Sequence, residues 1–176
     1  MNMKITKSVA LMAIVTIVPN VFTGVARAGS GEELPARCAA LATADLSGIQ
    51  DAPTQITEAK LVEAKADAPA YCQVRGYVAP QVGFEIRLPA NWNRRFLMVG
   101  CGGMCGIIYT ERGVCDLAVR EGYACIASDL GHKGTEFSVL WAYNNLQAEI
   151  DWGYRATHVV TLVGKAITEW YYGIAH

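Results

Sequence analysis

Apolar and polar residues change rhythm once along this chain, near Arg95. Before that point Thr54 to Val62 can run extended, Tyr71 to Val78 alternates as a half-buried strand does, and Gly83 to Leu88 alternates again before Pro89. Three extended segments in succession predict an antiparallel meander. Beyond Arg95 short apolar runs precede helical ones: Phe96 to Val99, then Val114 to Glu121, then Tyr123 to Ser128, then a long helix over about Tyr154 to Tyr172. This β-α-β-α order predicts an α/β fold. In the last helix Ala156, Val159, Val160, Val163, Ala166, Ile167 and Trp170 fall on one stripe, Lys165 and Glu169 form an i,i+4 pair, and Gly173 supplies a stop. Such a helix is expected to cover a sheet. Upstream, Gly29 to Pro35 reads as a polar linker and Ala36 to Ala42 as a short helical or irregular piece around Cys38.

The amino terminus does not belong to this pattern. Lys4 and Lys7 precede an apolar stretch from Ser8 to Val18, and Ala26-Arg27-Ala28 is a small-x-small cleavage site, so residues 1–28 are expected to be an export signal. A stable membrane anchor is not expected, because the apolar run ends at Pro19-Asn20, short of the roughly 20 residues a span requires. Removing the signal takes away three basic residues and no acid, moving the formal charge from −1 to −4. Nucleic acid is therefore not an expected partner. Residues 29–176 are one domain's worth of chain, placed by the signal in a secreted or periplasmic compartment.

All six cysteines, Cys38, Cys72, Cys101, Cys105, Cys115 and Cys125, follow the signal. An even count in an oxidising compartment predicts three disulfides. Cys38 with Cys72 is the pair expected first, closing a loop worth about 3 to 4 kcal/mol in the chain-entropy description. The other four admit several pairings. Their spacings lack the paired C-x-x-C of a structural zinc site, so no metal is expected.

Chemistry concentrates in the run Gly100-Cys101-Gly102-Gly103-Met104-Cys105-Gly106, directly after the Phe96 to Val99 strand. A dinucleotide fingerprint needs glycine at position 105, which is cysteine, and a phosphate loop needs a following Gly-Lys-Ser/Thr, which is missing. No cofactor is expected. An oxyanion-binding loop fits, since glycines uncover backbone N–H groups that can face a developing alkoxide. A tight turn using glycine for left-handed geometry is the plainer alternative.

Other polar groups invite less. Asp129 and His132 lie three apart in Asp129-Leu130-Gly131-His132-Lys133-Gly134, and a buried turn in which His132 satisfies backbone groups is expected rather than a catalytic pair, since triads draw members from separate loops. His158 is expected on a helix face, and His176 ends the sequence. Ser8, Ser30, Ser47, Ser128 and Ser138 all lie outside any Gly-x-Ser-x-Gly elbow. A nucleophilic Cys101 or Cys105 would be silenced by pairing. Trp92, Trp141, Trp152, Trp170 and the Tyr171-Tyr172 pair are expected to pack in the core.

Several phrases together resemble one family. Pro69-Ala70-Tyr71-Cys72-Gln73-Val74-Arg75-Gly76, the run Leu88 to Gly103, Ser128-Asp129-Leu130-Gly131-His132, Asp151-Trp152-Gly153-Tyr154-Arg155-Ala156-Thr157-His158 and Tyr171-Tyr172-Gly173 are similar to the tannase and feruloyl esterase family, in order over residues 36 to 173. The resemblance implies an α/β-hydrolase acting on phenolic-acid esters of feruloyl or galloyl type, or on a terephthalate half-ester, through Ser, Asp and His. It places Gly102 and Gly103 on the oxyanion side of the site. It also implies that Tyr-Tyr-Gly leads into another strand, a Gly-Cys-Ser-x-Gly-Gly elbow and a lid, often calcium-bearing. Ile174-Ala175-His176 stands in place of that continuation.

The expectation is thus an incomplete α/β-hydrolase domain over residues 29–176, holding no catalytic triad residue and inactive alone. The strand Phe96 to Val99 should lie beside Tyr123 to Ser128 with its other edge open, a route to self-association. A disulfide-stabilised binding module and a non-functional gene product are the alternative readings.

Overall fold

The computed structural model describes residues 33–108, 113–135 and 137–174. The export signal, the start of the linker and His176 lie outside these residues.

The three extended segments form the expected meander. β1 (Thr54–Val62), β2 (Tyr71–Val78) and β3 (Val82–Pro89) pair antiparallel in sequence, with Tyr71 opposite Val62 and Pro89 and a bulge in β1 between Ile56 and Glu58. Beyond Arg95, β4 (Phe96–Val99), α2 (Val114–Arg120) and β5 (Ala124–Ser128) follow in the expected order, after α1 (Glu33–Leu41) at the amino end. The sheet order is β1-β2-β3-β5-β4. β5 is antiparallel to β3 and parallel to β4, as a connection through a helix allows. β4 has β5 on one side and, among the described residues, no strand on the other.

One sheet face carries Val74, Val78, Phe84, Ile86, Leu88 and Ile126, all fully buried against Val159, Val160, Val163 and Ile167 of α4 (Ala156–Tyr172). α1 adds Cys38 and Leu41 to the same core. The helical stripe holds at five of its seven positions, Ala156, Val159, Val160, Val163 and Ile167. It fails at Trp170, which is 46% exposed, while Tyr171 is 2% exposed in its place. Residues 160, 163, 167 and 171 continue the same face at helical spacing, which turns Trp170 past the edge of the sheet.

The opposite sheet face is polar yet buried. Glu85 is ion-paired with Arg75 at 2.8 Å and Arg87 at 2.9 Å, and Arg87 also pairs with Asp116 of α2. Burial would raise the Glu85 carboxyl, but hydrogen bonds from Gln73, Arg75 and Arg87 outweigh it and the net shift is downward. α2 seals this face, with its own small cluster of Cys115, Ala118 and Cys125 against Leu97 and Val99.

Three disulfides join Cys38 to Cys72, Cys101 to Cys105 and Cys115 to Cys125. The first ties α1 to β2, as expected, and the third ties α2 to β5. The pairing of the last four cysteines follows the fold: α2 lies on β5, and Cys101 and Cys105 share one loop.

Candidate functional site

The carboxyl ends of the parallel strands β4 and β5 carry the two loops singled out in the sequence. In open α/β sheets this is the end where ligands bind. The Gly100–Gly106 loop turns through left-handed backbone at Gly103 (φ 57), Cys105 (φ 66) and Gly106 (φ 84), and the Cys105 N–H donates to Gly102 O at 3.1 Å. At Gly106 only glycine fits, because a Cβ would meet the Gly134 nitrogen at 2.8 Å. Gly100 and Gly102 differ: a Cβ there would meet nothing within 4 Å. Gly102 and Gly103 are exposed, and neither N–H is hydrogen-bonded to another described residue. Two adjacent donors are thus free to meet an acceptor from outside.

The second loop clasps the first. Gly106 N–H donates to Asp129 O at 3.3 Å, and Gly134 N–H donates to Gly106 O at 3.1 Å. Asp129 is fully buried, accepting hydrogen bonds from the N–H groups of Gly83 and Gly131 while pairing with Lys133. Its carboxylate ties β3 to the turn, the structural role expected for it.

His132 is buried in the turn, as expected, with the backbone of Met104 and Leu130 beside it. The imidazole is buried, but neither ring nitrogen closes a hydrogen bond with a described residue. It stacks instead on Trp141, with ring centroids 3.9 Å apart, and Trp141 leans on Trp152 at 5.9 Å. Burial pushes the His132 pKa below the ordinary imidazole value, opposed by the nearby backbone of Met104 and the Asp129 carboxylate. Burial thus disfavours the charged imidazolium at this position.

Sequence reading missed what joins the second loop to the long helix. Gly131 (φ 85) lies so close to Asp151 that a Cβ would meet Asp151 Cβ at 2.5 Å. Asp151, fully buried, accepts hydrogen bonds from Arg155 at 2.7 Å and Gln147 at 3.1 Å, and Arg155 donates onward to Ala79 O at 2.6 Å. Asp151 and Arg155 begin and end a π-helical turn, Asp151–Arg155, which links α3 (Leu146–Ile150) to α4. The phrases Asp-Leu-Gly-His and Asp-Trp-Gly-Tyr-Arg meet where the Gly131 backbone lies against the Asp151 side chain.

The remaining candidates behave as packing or surface groups. His158 is exposed on α4. Ser128 Oγ is buried at the end of β5, and no described serine occupies a strand-to-helix elbow. Every cysteine is in a disulfide, which removes Cys101 and Cys105 as nucleophiles. Trp92 stacks on Tyr172 at 4.0 Å against the core.

Residues 65–176 match the family profile described as tannase and feruloyl esterase. The chain is 39% identical over 111 residues to a probable feruloyl esterase B-2 of Aspergillus flavus, covering 60% of the chain and 20% of that protein. It is 34% identical over 160 residues to an uncharacterized esterase of Xanthomonas campestris, covering 82% of the chain and 27% of that protein. Among solved structures, feruloyl esterase B from Aspergillus oryzae superposes with TM-score 0.67 at 25% identity, over 80% of this chain and 30% of that one. The chain therefore spans between a fifth and a third of the length of these relatives, and its five-stranded sheet with flanking helices is part of an α/β-hydrolase fold. With the matched profile spanning most of the chain and the glycine loop at the carboxyl end of a parallel strand pair, this polypeptide belongs to the tannase and feruloyl esterase family.

Proposed function

We propose that these residues form the oxyanion side of an exported carboxylic ester hydrolase acting on phenolic-acid esters of the feruloyl or galloyl type. In this reading a serine supplied by sequence beyond residue 176 attacks the ester carbonyl. The N–H groups of Gly102 and Gly103 then lie on the side where the tetrahedral oxyanion develops. Water releases the phenolic acid from the acyl-enzyme. The observation that carries the reading is a pair of exposed, unbonded glycine N–H groups at the carboxyl end of β4, in a family named for esterases. Three disulfides among the described residues support export through the segment 1–28.

Removing the nucleophile of a serine hydrolase costs about a million-fold in kcat, whereas one oxyanion donor is worth about 100 to 1,000-fold. The 176-residue chain is accordingly inactive alone. Purified chain is expected to show no turnover of methyl ferulate or methyl gallate above background, and turnover would refute the inactivity. DNA read past codon 176 is expected to encode a Gly-Cys-Ser-x-Gly-Gly phrase. Absence of that phrase in every frame would remove the esterase reading for this gene.

A further inference from the structure

We propose that the Cys101–Cys105 disulfide is a positioning device for the Gly102–Gly103 turn: closed, it holds the two free N–H groups ready for an anion, and opened by a dithiol, it releases them. This role presupposes the oxyanion reading of the loop. Its basis is how little else holds these residues.

Among the described residues, the backbone hydrogen bonds that fasten the loop to the body of the protein lie at its far end, with the backbone of Met104 beside His132 just before it. Cys105 is fully buried, its sulfur 3.8 Å from Ser128 O, and Gly106 exchanges backbone hydrogen bonds with Asp129 and Gly134. Among the described residues, one backbone–backbone hydrogen bond lies between Cys101 and Cys105, from Cys105 N–H to Gly102 O at 3.1 Å. Gly102 is unpacked, with open space where a Cβ would stand. Gly103 and Cys105 both take left-handed backbone, a conformation that residues other than glycine rarely hold without support. The bridge from Cys101 to buried Cys105 closes this turn, joining the residue that follows β4 to the end of the loop clasped by Asp129 and Gly134.

The same geometry selects this bridge for exchange. Cys38, Cys72, Cys115 and Cys125 are at most 1% exposed, whereas Cys101 is only partly buried. A dithiol reductant can therefore reach Cys101 Sγ first. Its thiolate attacks that sulfur, the S–S bond breaks, and Cys105 leaves as a thiolate that takes up a proton. The reductant's second thiol then attacks the mixed disulfide, leaving two protein thiols and a cyclic oxidised reductant.

Three measurements on the 176-residue chain test this. Dithiothreitol followed by iodoacetamide and peptide mapping should label Cys101 and Cys105 at least about tenfold faster than the other four cysteines, as access dictates. Amide hydrogen exchange at residues 102–106 should rise at least about tenfold in the reduced chain and in C101S/C105S, with β3 and β5 amides unchanged. Sodium benzoate, its carboxylate standing in for the oxyanion, should shift the Gly102 and Gly103 amide resonances in the oxidised chain and not in the reduced one. Simultaneous labelling of all three pairs, or unchanged exchange at residues 102–106, would overturn the proposal. If the loop loosens on reduction but the oxidised chain ignores benzoate, the tether stands and the anion role fails.

Discussion

Gly164 of α4 tests the packing on which the site rests. An ideal Cβ at this position would meet Phe96 Cε2 and Cζ at 2.5 Å and Ile126 Cγ2 at 3.1 Å. Gly164→Ala in an open helix would gain about 1 kcal/mol from backbone entropy and propensity. Here the methyl must displace a phenylalanine ring in β4 and press on Ile126, which is fully buried in β5. Overpacking of this kind costs about 1 to 3 kcal/mol, and because Phe96 is only half-buried its ring can yield part of the way. The net expectation is a loss of about 1 to 2 kcal/mol, or about 2 to 8 °C in Tm for a domain of this size. Urea unfolding of G164A, F96A and the double variant at low protein concentration measures it. With the ring removed, the helix preference should prevail and Gly164→Ala should become neutral or stabilising, giving a coupling of about 2 kcal/mol. If G164A alone is as stable as the parent or more so, α4 does not press on β4 at this point and the arrangement supporting the glycine loop is wrong.

Other outcomes follow from the same structure. The disulfides close loops with sequence separations of 34, 10 and 4 residues, so paired Cys→Ser variants should lose stability in that order. The chain-entropy description puts the losses near 4, 3 and 2 kcal/mol, about as estimated, and urea midpoints showing the reverse order would contradict it. His132 has a folded pKa depressed by burial, so its contribution is present above the unfolded value near 6.5 and is lost as pH falls through the lower folded value. His132→Phe, which keeps a ring on Trp141 without titrating, should therefore flatten the fall in urea midpoint between about pH 7 and pH 5; an unchanged slope would exclude His132 as its source. The free edge of β4, with Leu97, Met98 and Val99 half-buried, is expected to drive concentration-dependent self-association. Sedimentation equilibrium should show it, and Val99→Lys should shift the chain toward monomer; a monodisperse parent would refute the edge contact.

The meander was legible because apolar and polar residues alternate along Tyr71 to Val78 and Gly83 to Leu88, and because Pro89 marks the end of the third strand. That same alternation misleads about the second sheet face. Gln73, Glu85 and Arg87 read as solvated positions, yet each is buried, because α2 brings Asp116 over them and their charges neutralise one another. Strand order was beyond the pattern of apolar residues, since β5 reaches its place between β3 and β4 through the α2 crossover. The glycine loop was legible as a motif, and its left-handed residues agree with its composition. The His132–Trp141 stack and the Gly131–Asp151 contact were not legible. Both join segments that touch only after α3 and the π turn have brought the long helix back over the sheet.

Support for the glycine loop comes from one side. β4 is paired only with β5 among the described strands, and the loop that follows β5 supplies the hydrogen bonds that hold Gly106. From the core, Phe96 is set by Gly164 and Ile126, so the strand leading into the loop is fixed by α4 as well as by its sheet neighbour. The other edge of β4, with no strand beside it among the described residues, lies directly before Gly100. A segment that paired there in parallel would end beside Gly102 and Gly103, because parallel neighbours in a sheet finish at the same end. On the proposed reading, that is where the attacking serine would stand, beside the N–H groups that meet the substrate's carbonyl oxygen. If the proposed reading holds, filling the edge of β4 and supplying the nucleophile are one event, so a longer chain that gains ester turnover should also lose the self-association expected of residues 1–176.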